Sequence, residues 1–156
     1  MSERWLGVVV SGDKITVIDA EVPDTGPIVV QSDQSWPLQS GDRIEAYVVM
    51  AQQVANFATE NEIDLAVVKE SAVSLGGTKK AHLESAELRG VVLCALGSVT
   101  KVELQSKGVI SRTFGARKVD EYLSDDAFWK QQCRGAKLRA GSREAAMIVL
   151  AARKKK

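Results

Sequence analysis

Two side chains of opposite charge, Lys69 and Glu70, stand directly after a continuous apolar run at residues 65–68. A short apolar run with helical patterns on both sides is typical of a strand that is buried on both faces. In open α/β sheets, ligands and chemistry collect where such strands end. What the protein does therefore depends largely on which of these two side chains faces a site.

A second chemical feature is the uneven distribution of charge behind a net charge of +1. Residues 1–98 contain 7 Lys/Arg and 14 Asp/Glu, whereas residues 99–156 contain 14 Lys/Arg and 6 Asp/Glu. A basic end on an otherwise acidic chain indicates a polyanionic partner, with nucleic acid the first candidate. A solvated tail without a partner is the alternative, and the four basic residues at 153–156 do not decide between the two.

Length and composition predict one domain at residues 1–152, followed by a basic tail at 153–156. No apolar run reaches the ~20 residues of a membrane helix, and the N-terminus lacks the apolar region of a signal peptide. We therefore expect a cytoplasmic protein. Cys94 and Cys133 form no CxxC pair and are predicted to be reduced thiols. Cys94 lies in an apolar helix and is predicted to be a residue of the hydrophobic core.

The elements that must position the charged residues follow from periodicity and turn signals. Strands are predicted at residues 5–10, 14–22, 27–31, 65–68 and 99–104, and helices at 42–62, 78–96, 106–114, partly at 116–133, and at 142–152 with Ser142 as the cap. Residues 32–41 are predicted as loop and 134–141 as a basic linker. The order β-β-β-α-β-α-β-α implies a five-stranded mixed sheet with flanking helices. This order is typical of the ribonuclease-H-like α/β fold.

Five segments in the same order resemble the RuvC-type Holliday-junction resolvases over most of the chain. They are Gly-Val-Val-Val-Ser-Gly at 7–12, Asp-Leu-Ala-Val-Val-Lys at 64–69, Leu-Arg-Gly-Val-Val at 88–92, the run at 102–118, and Glu-Ala-Ala-Met-Ile-Val-Leu-Ala at 144–151. The chain also resembles uncharacterised resolvase-like proteins that have Lys at the end of the fourth strand. The resemblance implies binding of nucleic acid, with DNA favoured, and a homodimer.

The resemblance further implies phosphodiester hydrolysis, in which three or four carboxylates hold two Mg²⁺ ions roughly 4 Å apart. The family's first acid falls on Val10, or at best on Ser11, and its second acid falls on Lys69, so that Glu144 alone is retained. A protonated lysine cannot ligate Mg²⁺. We therefore predict an inactive site without a bound cofactor, in a protein that binds structured nucleic acid or is a subunit of a larger assembly.

An active metal-dependent endonuclease is the alternative. Asp13 and Glu70 lie within a few residues of the missing acids, and together with Glu144 they could hold Mg²⁺ if a bulge or a changed register turned Glu70 inward. Otherwise Asp13 is a turn residue, Glu70 is solvated, and Glu144 is an acid at a helix start. A second alternative is a protein-interaction scaffold that binds no nucleic acid.

Nine basic side chains are predicted to contact nucleic acid: Lys69, Lys107, Arg112, Arg117, Lys118, Arg134, Lys137, Arg139 and Arg143. If they converge on Lys69, the resulting cleft is positive and suits phosphate, whereas scattered positions would serve solubility. The basic loop at residues 74–80 lacks the P-loop pattern, so a phosphate contact and a plain flexible loop both stay open. His82 has no partner set nearby and is predicted to be a surface residue rather than a ligand.

Overall fold

The computed structural model describes residues 2–72 and 76–154. Within these ranges the chain forms six strands and six helices. They are β1 (Ser2–Ser11), β2 (Lys14–Pro23), β3 (Ile28–Pro37), α1 (Arg43–Glu60), β4 (Leu65–Lys69), α2 (Lys80–Gly97), β5 (Lys101–Gln105), α3 (Lys107–Phe114), α4 (Val119–Leu123), α5 (Asp126–Gln132), β6 (Cys133–Gly135) and α6 (Ala140–Lys154). In this part of the chain no helix is long and apolar enough to cross a membrane.

The strands form one mixed sheet in the order β5-β4-β1-β2-β3-β6. β1, β2 and β3 are an antiparallel meander, while β4 runs parallel to β1 and β5 runs parallel to β4. This arrangement confirms the ribonuclease-H-like α/β class predicted from the order of elements. The carboxyl ends of β1, β4 and β5 consequently meet at one edge, where Lys69 closes β4.

The predicted strand count of five is too low, because the short strand β6 pairs in parallel with β3. Residues 133–135 contain no strand pattern of their own, and the pairing depends on Gly135. At a φ of +89°, a β-carbon on Gly135 would lie 2.4 Å from the backbone oxygen of Val30. Because glycine has no side chain, the backbones of β3 and β6 can approach each other at Gly135. The composition of residues 134–141, which predicted a linker, does not indicate this pairing.

β3 is also longer than predicted, since it continues to Pro37 through residues that resemble a polar loop. β2 provides a ladder partner along this stretch, from Lys14 opposite Pro37 to Asp19 opposite Ser32. Paired backbone groups outweigh the weak strand propensity of Ser, Asp and Gln in this segment. The prediction of a loop at 32–41 therefore holds only beyond residue 37.

Because side chains alternate along a strand, the sheet separates two apolar cores. One core lies under α6 and includes Trp5 and Val9 of β1 and Leu65 and Val67 of β4. The other lies under α1 and α2 and includes, from the same two strands, Leu6, Val8, Val10, Ala66 and Val68. The predicted core position of Cys94 is wrong, because its side chain is exposed on α2.

The contact of α6 with the sheet depends on Gly7. A β-carbon at this position would lie 2.1 Å from the backbone oxygen of Ala145 and 2.8 Å from a methyl group of Val149. Any larger residue would therefore lift α6 away from β1. This close approach sets the height of the helix that contains Glu144 above the sheet.

Candidate functional site

At the end of β4, the side chain of Lys69 forms an ion pair with the carboxylate of Glu144 on α6. Lys69 lies on the α6 face of the sheet because Leu65 and Val67, four and two residues before it, also face α6. Both members of the pair are about three-quarters buried, with side-chain exposures of 23% and 24%. The first turns of α6 and the last residue of β4 thus bring together two charges that are 75 positions apart.

The neighbours of Lys69 on this face are not acidic. Val8 pairs with Val68, which places Val9 beside Lys69 one residue further along β1. On the other side, Gln105 of β5 pairs with Lys69 in register and is only 2% exposed. The amide oxygen of Gln105 is buried and accepts no hydrogen bond from the described residues.

Val10 lies on the opposite face, in the core under α1 and α2. The residue of β1 that faces Glu144 and Lys69 is therefore Val9, one position before the residue that the sequence resemblance matched to the first acid. The match of short sequence segments was therefore shifted by one residue at Val10, and a shift of one residue along a strand reverses the face that a side chain occupies. The residue type is valine at either position, so this part of β1 supplies no carboxylate.

The residues present do not fit the two Mg²⁺ ions that the resemblance implies. The ammonium group of Lys69 stands against the carboxylate of Glu144, where it occupies the oxygen that a metal would need and adds positive charge. Val9 has no ligating atom, and the amide oxygen of Gln105 is a weak substitute for a carboxylate. The arrangement is a neutralised ion pair at a strand end.

The other two candidate acids lie apart from Glu144. Asp13 is in the turn between β1 and β2, where its carboxylate accepts a hydrogen bond from Arg43 at 3.1 Å. Glu70 follows the last residue of β4, its backbone N–H donates to Gln105 at 2.9 Å, and its side chain is exposed. Among residues 2–72 and 76–154, no three His, Cys, Asp or Glu side chains are grouped so that they could hold a metal. The structure therefore does not bring Asp13, Glu70 and Glu144 together.

Four of the nine predicted nucleic-acid contacts already pair with carboxylates. Besides Lys69, these are Arg117 with Asp125 at 3.0 Å, Arg139 with Asp33 at 2.6 Å and Arg143 with Asp126 at 2.7 Å. The remaining five are exposed and form no ion pair within the described part of the chain: Lys107, Arg112, Lys118, Arg134 and Lys137. Basic side chains that are exposed and form no ion pair can exchange their counterions for phosphates.

The five unpaired basic residues divide between the two edges of the sheet. Lys107 begins α3 immediately after the edge strand β5, and Arg112 and Lys118 follow it. Arg134 lies in β6, the strand at the opposite edge, and Lys137 follows that strand. Of the first group, Lys107 lies two residues after Gln105 and so next to the strand ends that contain Lys69 and Gln105. It is the best placed of the five for a contact with a ligand at that edge.

An ionic contact between a buried carboxylate and an exposed arginine, which local sequence patterns did not predict, anchors the start of α6. Asp33 of β3 is 8% exposed and accepts two hydrogen bonds from Arg139 and one from the hydroxyl of Ser142 at 2.6 Å. Burial raises the pKa of Asp33, but the hydrogen bonds from Arg139 and Ser142 outweigh burial and hold the pKa below its ordinary value. Ser142 is therefore not the helix cap that its sequence position suggested, since α6 begins at Ala140.

A second missed residue is Arg89 of α2, within the Arg-Gly-Val motif. Its guanidinium donates to the backbone oxygen of Val10 at 3.2 Å and to the hydroxyl of Ser71, so it links the chain ends of β1 and β4. Among the described residues no carboxylate pairs with it, and burial lowers its pKa. Residues 74 and 75 of the basic loop singled out in the sequence lie outside the described residues.

Solved structures of known resolvases match this chain, whereas no family model and no curated protein matches its sequence. RuvC from Thermus thermophilus matches with a TM-score of 0.75 and 11% sequence identity, over 95% of this chain and 92% of that chain. T. thermophilus RuvC in complex with a Holliday junction substrate matches with a TM-score of 0.73 and 11% identity, over 96% and 91%. The yeast mitochondrial Holliday junction resolvase Ydc2 matches with a TM-score of 0.64 and 10% identity, over 97% and 76%.

The chain therefore has the fold of the RuvC-type Holliday-junction resolvases, and the resemblance predicted from five short segments is confirmed at the level of the fold. At 10–11% identity the similarity establishes shared architecture and leaves chemistry to be argued from the site.

Proposed function

We propose that this protein binds nucleic acid through a resolvase-type fold and does not cleave it. The observation that supports this proposal is the ion pair between Lys69 and Glu144 at the carboxyl ends of the parallel strands. In a two-metal nuclease this place needs several carboxylates, because Mg²⁺ takes oxygen ligands and the phosphate adds negative charge. Here a lysine supplies the positive charge in place of a metal, but it cannot activate water as a metal does.

DNA is the favoured ligand. The C-terminal part of the chain has a charge balance of +8, and Lys107, Arg112 and Lys118 are exposed and form no ion pair with the described residues, with Lys107 two residues after the end of β5. One of the matching solved structures contains a Holliday junction substrate, so the fold as such can seat a branched DNA. Phosphate contacts of this kind give affinity that falls steeply with salt and carry little sequence information.

Fluorescence anisotropy with labelled four-way junction, duplex and single-stranded DNA, over a series of salt concentrations, tests the proposal. We expect binding at low salt, and we expect Lys107→Gln and Lys118→Gln each to reduce the slope of log affinity against log salt by about 1. Lys101→Gln is the matched control, since Lys101 is an exposed lysine at the start of β5, opposite Leu65 and so at the other end of the strands from Lys69. Absence of binding even at the lowest salt would refute the proposal.

Cleavage assays on the same DNA decide between this proposal and an active nuclease that uses displaced acids. With Mg²⁺ or Mn²⁺ present, we expect no cleavage by the wild-type protein. Cleavage that is abolished by Glu70→Ala or Glu144→Ala would overturn the proposal of an inactive site and establish the alternative.

We further propose that the protein is a homodimer that associates through the outer face of α1 and α2. Ile44 and Val48 lie one turn apart on α1, and Leu83 lies on the neighbouring α2, with exposures of 74%, 53% and 56%. Apolar side chains grouped this way are typical of an interaction surface, and a twofold axis would pair the group with itself. This surface would serve equally for a larger assembly or for a scaffold without nucleic acid.

Light scattering after gel filtration tests the dimer. We expect twice the chain mass of 16.9 kDa for the wild-type protein, and the monomer mass for Ile44→Glu. A wild-type protein that elutes as a monomer at all accessible concentrations would refute the dimer and leave the DNA-binding proposal intact.

A further inference from the structure

A cavity of about 390 Å³ lies between the first turns of α2 and the chain that leaves β4. Its polar lining consists of Ser71, Thr78, His82, Ser85 and Arg89. α2 packs on the face of the sheet opposite α6, so the cavity lies on the other side of β4 from the ion pair of Lys69. It is therefore a separate site at the same strand edge.

The charge in this cavity belongs to Arg89, and the described residues that line the cavity include no carboxylate to balance it. Two of its nitrogens donate to the hydroxyl of Ser71 and to the backbone oxygen of Val10. Its third nitrogen, Nε, is buried and has no acceptor among the described residues. A partly buried guanidinium without a carboxylate is unfavourable on its own, because two hydrogen bonds to neutral acceptors compensate its desolvation only in part. An anionic ligand would supply the missing charge and acceptors.

The rest of the lining suits the same class of ligand. Ser71 and Thr78 present hydroxyl groups that can donate, whereas the Ser85 hydroxyl donates to the backbone oxygen of Gly12 at 3.3 Å, and no carboxylate is among the described residues that line the cavity. The cavity also lies at the start of α2, an 18-residue helix whose positive dipole end favours anions. Hydroxyl donors around one guanidinium match a tetrahedral oxyanion with several acceptor oxygens.

We propose that the Arg89 cavity binds a phosphate group. The group can come from nucleic acid, as a terminal or backbone phosphate, or from a free nucleotide or inorganic phosphate, and the volume of the cavity accommodates each. The proposal extends nucleic-acid binding at this strand edge but does not rest on it, since a free phosphate is a sufficient ligand. It also gives His82 a place, because Nδ1 of this ring accepts from the backbone N–H of Lys79 at 3.3 Å and Nε2 is then the nitrogen that can donate.

Titration of the ¹⁵N-labelled wild-type protein by NMR tests this directly. The ligands are inorganic phosphate, AMP, and one short oligonucleotide with and without a 5′-phosphate, each at constant ionic strength. We expect saturable amide shifts at Ser71, Thr78 and Ser85, with the phosphorylated oligonucleotide binding more tightly than its unphosphorylated form if the source is nucleic acid. Equal binding of both oligonucleotides, with shifts from phosphate and AMP retained, would assign the cavity to small ligands.

Two variants and a control separate binding from folding. Arg89→Gln is expected to weaken phosphate binding about tenfold or more, the effect of losing charge-assisted hydrogen bonds. Thr78→Val removes one hydroxyl that forms no bond elsewhere in the described structure and is expected to weaken binding severalfold while the protein stays folded. Lys80→Gln, on the same helix but 90% exposed, is expected to change the affinity less than about twofold.

The absence of saturable shifts at about 50 mM phosphate and with every other ligand would overturn the cavity proposal. A loss of affinity that is equal in Arg89→Gln and Lys80→Gln would also overturn it, because general electrostatics would then account for the binding. DNA binding without shifts in the cavity would leave the proposed function standing and remove this site alone.

Discussion

The ion pair of Lys69 and Glu144 makes a measurable contribution to stability. We predict that the two side chains couple by about 1–3 kcal/mol, between the 0.2–1 kcal/mol of exposed pairs and the 3–5 kcal/mol cost of breaking a fully buried pair. The intermediate value follows from their exposures of 23% and 24%, which leave the charges partly screened by water. For a chain of 156 residues, each kcal/mol corresponds to a fall in Tm of roughly 2–4 °C.

A double-mutant cycle in urea measures this coupling, with Lys69→Met, Glu144→Gln and the combined variant. We expect each single variant to lower the free energy of unfolding and the combined variant to recover part of the loss, because neither charge is then left alone. The pair of Lys80 and Glu84 is the matched control, since Lys80 is 90% exposed and its nitrogen lies 3.7 Å from the carboxylate. We expect less than about 0.5 kcal/mol there.

A coupling below about 0.5 kcal/mol between Lys69 and Glu144 would refute the reasoning that the lysine neutralises this site. In that case the Glu144 carboxylate would be available for another cation, and the proposal of an inactive site would lose its physical basis.

Three further predictions concern the framework around the site. Gly7→Ala should lower the free energy of unfolding in urea by about 2–4 kcal/mol, because its β-carbon would overlap α6. Gly90→Ala is the control: it has open space around it and should stabilise α2 by about 0.5–1 kcal/mol. Equal effects of the two substitutions would contradict the close packing at Gly7. Asp33→Asn should lower the free energy of unfolding by about 1–2 kcal/mol above pH 5. Because the folded pKa of Asp33 lies below its unfolded value of about 3.9, the difference from wild type should vanish as pH falls through that lowered pKa. A difference that does not depend on pH would argue against the ion pair. Burial raises the pKa of Cys133 to about 12, so at pH 8 a thiol reagent should modify the exposed Cys94 first. Mass spectrometry of the peptides measures the order of modification, and modification of Cys133 first would contradict this prediction.

Local signals predicted the main elements because they depend on residues close in the chain. The unbroken apolar run before Lys69 marks a strand that is buried on both faces, and alternating or helical spacing marks most of the other elements. Residues 32–37 and 133–135 escaped prediction, since their strand conformation depends on partners that β2 and β3 provide. Propensity is a weak guide where a ladder formed elsewhere satisfies the backbone.

The sequence by itself determined the class of fold, the place of Lys69 at a strand end and the excess of basic residues in the C-terminal part. Only the tertiary structure decided that Lys69 meets Glu144, that Val9 rather than Val10 stands beside them, and that Glu70 and Asp13 lie elsewhere. It also decided which basic residues form ion pairs with carboxylates and that Arg89 has no carboxylate partner among the described residues. The physical reason is register: one residue along a strand exchanges its two faces, and contacts between distant segments depend on that choice.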